Sequence, residues 1–161
     1  MKCVNCDNKK NLHREIQTIQ YRQCGLDNVV LEGVDCFICD KCGARFYGFG
    51  DQDQLHALIA SILIQKKSAL VGKELRFLRK YLGFSTDYFG KISTYDPSSI
   101  SRLENDQQQS GKYDRFIRVL AYSELPNRNY SLQDLFIEGR VINFTKISLA
   151  PSTKGHWKVA A

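Results

Sequence analysis

Two cysteine pairs constrain this chain more than anything else in it: Cys3-Val4-Asn5-Cys6 and, after a gap, Cys39-Asp40-Lys41-Cys42-Gly43. A two-residue spacer lets both thiolates of a tight turn face one ion, and a following glycine accepts the backbone of such a turn. Two of these turns facing each other enclose a tetrahedral four-thiolate site, the form that structural zinc takes when no position is left open for water. One structural Zn2+ is therefore expected on Cys3, Cys6, Cys39 and Cys42. The ligand choice has a competitor, because Cys36-x2-Cys39 repeats the spacing. Cys42-Gly43 favours the later pair, and Cys36 alternates with Val34 and Ile38 as a small buried side chain would. Cys24 falls in a turn, where a reactive thiol is the alternative to a merely exposed one.

The stretch between the pairs reads as β structure. Over residues 15–22, Ile16, Thr18 and Gln20 alternate with Gln17, Ile19 and Tyr21, and a β-rich run with Val29, Val30, Leu31, Val34 and Ile38 follows a turn at 24–28. A third short strand is expected at 45–49. The chain is 161 residues long and 43% apolar, which allows one domain or two small ones with a real core. A β-rich zinc-binding domain is thus expected at 1–50. Residues 51–70 read as a connector helix, with Leu55, Leu58, Ile59, Ile62 and Leu63 at helical spacing, acids in the first turn and Lys66-Lys67 near the end. That stripe is broad enough to need packing against a flanking domain or a second copy of the chain. The apolar run at 55–64 is far shorter than the ~20 residues of a membrane span, so no membrane partner is expected. The start of the chain lacks a charged and apolar leader, which implies a cytoplasmic protein with reduced thiols.

From Lys73 onward the sequence parses as three short helices. Leu75, Leu78 and Leu82 line the first, which Gly83 ends. Ser85 can cap the second, with Asp87 in its first turn and Tyr88, Phe89 and Ile92 apolar. Asp96 can cap the third, Pro97 suits the first helical position, and Ile100 and Leu103 point to the core. Ser98, Ser99 and Arg102 are left on the opposite face. Residues 98 and 102 lie one turn apart, so a hydroxyl and a guanidinium project together, and arginine can address guanine bidentately in a major groove. The helical domain is expected at 71–139, completed by a helix over 112–125 and a short one capped by Ser131. The fold class expected is therefore α+β, a small β-rich zinc domain followed by an all-α domain, with a C-terminal extension at 140–161. In that extension 141–144 and 146–149 alternate like strands, and Trp157 stands between Lys154 and Lys158.

The stretch from Leu75 to Asn105 resembles the lambda-repressor/Xre type of helix-turn-helix, through Leu78-Arg79, then Leu82-Gly83-Phe84-Ser85, then Ser99-Ile100-Ser101-Arg102-Leu103-Glu104-Asn105. Gly90 falls where that family places a small residue against the third helix. The resemblance implies that Arg79 pairs with Glu104, and that Ser85, Thr86 and Asn105 contact phosphate; Pro97, Ser98, Ser99 and Arg102 are the DNA-binding residues expected on the third helix itself. Two positions depart from the pattern: Thr86 stands for a frequent Gln, and Thr94-Tyr95 for a Gly-hydrophobe turn. Together the cysteine pairs and the helix-turn-helix, over about residues 1–125, resemble the MqsA/YgiT-type antitoxin family. That resemblance implies a homodimer on a palindromic double-stranded operator, a structural zinc, and a zinc domain that grips a small toxin.

Charge agrees with a polyanionic partner without demanding one. The 23 basic and 17 acidic residues give +6, and four thiolates around one divalent ion bring the holo chain near +4. His13, His56 and His156 are scattered with no local carboxylate or serine constellation, so no enzymatic activity is expected. The expected function is a DNA-binding, antitoxin-like repressor of its own operon. The rival is a protein-interaction or thiol redox-sensing regulator with no toxin partner.

Overall fold

The computed structural model describes residues 2–6, 12–105, 111–126, 131–133, 146–152 and 155–160. The chain is α+β and divides into two compact units, one drawn from residues 1–21, 27–55 and 146–161, the other from 22–26 and 56–145. The short helix expected after Ser131 and the alternation at 141–144 lie largely outside the described residues.

The first unit is a five-stranded sheet built on one long strand. Strand β1 (Leu12–Gln20) pairs antiparallel with β2 (Val29–Cys39) from Leu12↔Cys39 to Gln20↔Val30. The other edge of β2 is shared. Its first part pairs in parallel with β4 (Ile147–Pro151), Val29↔Ile147 to Leu31↔Leu149, and its last part antiparallel with β3 (Arg45–Gly48). Gly33 marks the changeover. The register steps from Gln17↔Val34 to Ile19↔Leu31, so Thr18 faces both Glu32 and Gly33, and Gly33 takes φ +72, a bulge conformation that costs glycine little. Val29, Leu31, Val34 and Cys36 of β2 are buried, as the β-branched run requires.

The last stretch of chain completes this sheet instead of standing apart from it. Strand β5 (Trp157–Val159) pairs with β4, and Trp157 is buried, its indole Nε1 donating to Phe49 O at 2.8 Å. Gln54 and Trp157 exchange two further hydrogen bonds, Trp157 N to Gln54 Oε1 at 2.7 Å and Gln54 Nε2 to Trp157 O at 3.1 Å. The β unit therefore draws on both ends of the sequence. Local alternation at 146–149 announced a strand, whereas its parallel partner, more than a hundred residues earlier, left no local signal.

Helix α1 (Gln52–Gln65) starts on Asp51, whose Oδ1 accepts Gln54 N at 3.0 Å. Leu55, Ile59, Ala60, Ile62, Leu63 and Ile64 are all buried, which is more than one helical stripe. The second unit continues with α2 (Gly72–Tyr81), α3 (Thr86–Ser93), α4 (Pro97–Asn105) and α5 (Gly111–Glu124). Its core is Leu75, Leu78, Phe89, Ile100, Tyr113, Ile117 and Ala121, with Phe89 edge-on to Tyr113 and Phe116 at 5.2 and 5.8 Å. Tyr88 and Ile92, expected among the apolar positions of α3, are exposed.

A buried guanidinium gathers the end of α1. Arg118 of α5 donates from Nη1 to Ile64 O at 2.8 Å and from Nη2 to Ser68 O at 2.9 Å, while Asp114 accepts from its Nε. The last carbonyls of α1, orphaned by helix geometry, are thus satisfied by a cation, the charge that the helix dipole favours there. Next to it, Lys66 pairs with Glu74 at 2.7 Å, and Glu74 also accepts Val71 N at 2.9 Å, closing the entry to α2.

Replacing Arg118 by Met should cost about 3 kcal/mol or more, because Asp114 and several carbonyls lose their buried partner together. Urea unfolding of the variant measures this. A loss under about 1 kcal/mol would contradict the role given to Arg118.

Candidate functional site: a four-thiol centre and an exposed helix face

The four expected metal ligands converge. Sγ atoms of Cys3, Cys6, Cys39 and Cys42 all lie within 4.8 Å of one another, with Cys3 to Cys42 at 3.6 Å and Cys6 to Cys39 at 3.7 Å. These separations are too long for disulfides and close to the ~3.8 Å edge of a tetrahedron with ~2.3 Å metal–sulfur bonds. The donor set fits one tetrahedral thiophilic ion. Cys39 ends β2, and the turn beyond it is closed by Gly43 N to Cys39 O at 2.8 Å, with Gly43 at φ +70.

Strand geometry decides between the two overlapping spacings. Residues 36 and 39 are an odd number of positions apart on β2 and so point to opposite faces, which keeps Cys36 in the apolar interior and out of the cluster. Cys42 escapes this rule because it lies in the turn. Around the centre, hydrogen-bond donors favour thiolate. Burial would raise the Cys39 pKa, but the amides of Cys42 and Lys41 together with the neighbouring thiols outweigh it and bring the value down to about 6. Cys42 is lowered in the same sense by the Ala44 amide and by Asn5 Nδ2, which lies 3.7 Å from its sulfur.

The second candidate site is built on α2, α3 and α4. Helix α2 ends in a Schellman arrangement at Gly83, φ +73, where Phe84 N bonds Arg79 O at 3.1 Å and Gly83 N bonds Lys80 O at 2.9 Å. Ser85 caps α3, its Oγ accepting Tyr88 N at 3.1 Å. Thr86 follows as the first residue of α3, half-buried. Thr94 then adopts φ +60, the only described non-glycine residue at positive φ. A β-branched residue in the left-handed region bears strain there. Tyr95 fills the hydrophobe's place, its ring edge-on to Tyr113 at 5.6 Å. Gly90 must remain small, since a Cβ there would lie 2.8 Å from Tyr95 O.

Helix α4 is held by a buried ion pair. Arg79 Nε meets Glu104 Oε1 at 2.6 Å and its Nη2 meets Oε2 at 2.8 Å, while Tyr113 Oη donates to Oε1 at 3.1 Å. Glu104 raises the Arg79 pKa through these bonds, against its desolvation; burial and then the Glu104 charge raise Tyr113. The remaining guanidinium donor, Nη1, reaches Phe84 O at 2.6 Å. Gly72 completes the seat of α4, because a Cβ there would lie 2.6 Å from Glu104 O.

The outer face of α4 is polar and organised. Pro97 opens the helix, and Asp96 receives the Ser98 amide at 3.3 Å and the Ser98 hydroxyl at 2.8 Å. Arg102 Nη2 donates to Ser98 Oγ at 3.3 Å, which orients the guanidinium along the helix. The Ser98 hydroxyl, its amide and then Arg102 hold Asp96 below the usual carboxylate range, so this cap is kept at neutral pH and lost only as pH falls through that lowered value. Asn105 is exposed and donates to Ser101 O at 2.8 Å. The exposed residues of α4 are Pro97, Ser98, Ser101, Arg102 and Asn105, with Ser99 half-buried. Ser101 was missed in the sequence, although the 98, 101, 102, 105 spacing of one helical face contains it.

Two substitutions test this seat. Glu104→Gln should cost about 3 kcal/mol of unfolding free energy by leaving Arg79 buried without its charge partner. Thr94→Gly should instead stabilise by roughly 0.5–1 kcal/mol by releasing αL strain, net of the added unfolded-state entropy. Chemical denaturation measures both, and a destabilised Thr94→Gly would contradict the strain. Analogy supplies nothing further, since no family model, no curated protein and no solved structure matches the chain.

Proposed function

We propose that this chain is a sequence-specific DNA-binding transcriptional regulator with one structural zinc, acting as an antitoxin-like repressor of its own operon. The observation that carries the reading is the outer face of α4, where Ser98, Ser101, Arg102 and Asn105 stand exposed on a helix seated by the buried Arg79–Glu104 pair. A short capped helix with its apolar side inward and an oriented arginine outward has what a major-groove reader needs. Ser85 and Thr86, at the amino end of α3, are the partners for a backbone phosphate, which the free amides of a helix start attract. One such helix reads few base pairs. A homodimer on a palindromic operator, with half-sites about one DNA turn apart, supplies the rest.

The zinc reading rests on the donor set. Four thiols at tetrahedral separations leave no open ligand position, so Cys3, Cys6, Cys39 and Cys42 would hold the ion in a structural role and not in catalysis. A small toxin as the partner of that unit rests on the resemblance carried by the cysteine pairs and the helix-turn-helix. A second reading has its own support. Tyr88 and Ile92 are exposed on α3, where a helix that touched only phosphate would be polar, so the same surface could dock a protein instead of DNA.

Metal analysis of the purified protein should return one zinc per chain. Cys39→Ala should lose it, whereas Cys36→Ala and Cys24→Ala should retain it. For DNA, Arg102→Ala should weaken operator binding by ~1–3 kcal/mol in anisotropy titrations and relax preference at one base pair per half-site. Equal affinity of wild type and Arg102→Ala for the operator would refute the groove assignment and favour the protein dock.

A further inference from the structure

The helical unit contains a cavity of about 330 Å3 that the four-thiol centre does not account for and that shares only Asn105 with the outer face of α4. That volume lies at the lower end of small-molecule sites, ~300–1,000 Å3. One wall is a face of α2: Lys73, Arg76 and Lys80 follow at three- and four-residue spacing and so project on one side of the helix. Cys24, Gly25 and Asn105 also line the cavity. At Gly25 a Cβ would meet nothing within 4 Å.

The charge balance of the cavity is one-sided. Its single acidic residue, Glu104, is 4% exposed, and its carboxylate is already engaged by Arg79 and Tyr113. Arg76 and Lys80 make no ion pair among the described residues. The like charges of Arg76 and Lys80, one turn apart, repel each other, and a bound anion relieves that repulsion. Arginine adds a planar fork for two oxygens, lysine a point charge, and Asn105 an amide donor.

We propose that this cavity binds an oxyanion of the phosphate class, with Arg76 and Lys80 as its principal ligands and Lys73 and Asn105 supporting them. The phosphoryl group can come from a free phosphorylated small molecule or from a nucleic-acid backbone. The site rests on its own lining and does not require α4 to enter a groove. Its failure and the failure of the DNA reading are therefore separable.

The test is an NMR titration of the full chain with inorganic phosphate and with pyrophosphate, against sodium chloride at matched ionic strength. Saturable shifts at the amides of Gly25, Lys73, Arg76 and Asn105 are expected, with pyrophosphate binding the tighter. Arg76→Gln combined with Lys80→Gln, both at exposed positions, should weaken binding about tenfold or more while leaving the remaining spectrum unchanged. The single variants should each lose part of the affinity, which guards against a double variant that folds poorly. Shifts that match chloride, or a double variant that binds as wild type, would overturn the proposal. Adding duplex DNA then separates the sources: competition with pyrophosphate marks the cavity as a backbone contact, and simultaneous binding marks it as a site for a small phosphorylated ligand.

Discussion

The helical unit depends on one buried charge pair. Arg79 and Glu104 are both almost fully shielded from water, and removing two charges from solvent is costly unless every donor and acceptor finds a partner. Here they do. Glu104 takes two bonds from Arg79 and one from Tyr113, and Arg79 spends its remaining reach on the Phe84 carbonyl. A single ion pair thereby joins α2, the turn before α3, α4 and α5. No buried side-chain polar atom among the described residues is left without a partner. The consequence is a fixed seat for α4, which a surface meant to recognise a partner requires.

The sheet unit reaches stability by a different route. Its organising element is β2, which pairs along one whole edge with β1 and divides its other edge between β4 and β3 at the Gly33 bulge. The four thiols lie where the end of this strand meets residues near the start of the chain, so a bound ion would tie the two segments together. Amide and side-chain donors around Cys39 and Cys42 already favour the thiolate form that a metal needs. No described helix is long and apolar enough to cross a membrane.

What the sequence disclosed was local chemistry. The cysteine spacing located the thiol cluster, Ser85 and Asp96 were legible as caps, and alternation placed the strands between the cysteine pairs. Each of these signals acts over a few residues. Less legible were features made by distant segments meeting. Ile147 to Leu149 reads as a strand, but its parallel seat beside Val29 to Leu31 follows from the fold alone. Arg118 looks like any surface cation of an amphipathic helix until the carbonyls of α1 are placed around it. Gly72 reads as a simple helix break, yet the space it leaves belongs to Glu104. Lys73, Arg76 and Lys80 gave no signal along the chain, and their place in a cavity lined also by Cys24 and Gly25 follows from the fold alone.

The central claim is that α4 reads a DNA groove as part of a symmetric dimer. Selecting duplexes from a randomised pool with the full-length protein, followed by sequencing of what is retained, tests it most directly. The account predicts enrichment of a two-fold symmetric sequence with half-sites centred ~10–10.5 base pairs apart. Retained duplexes with the same sequence distribution as the input pool would contradict it.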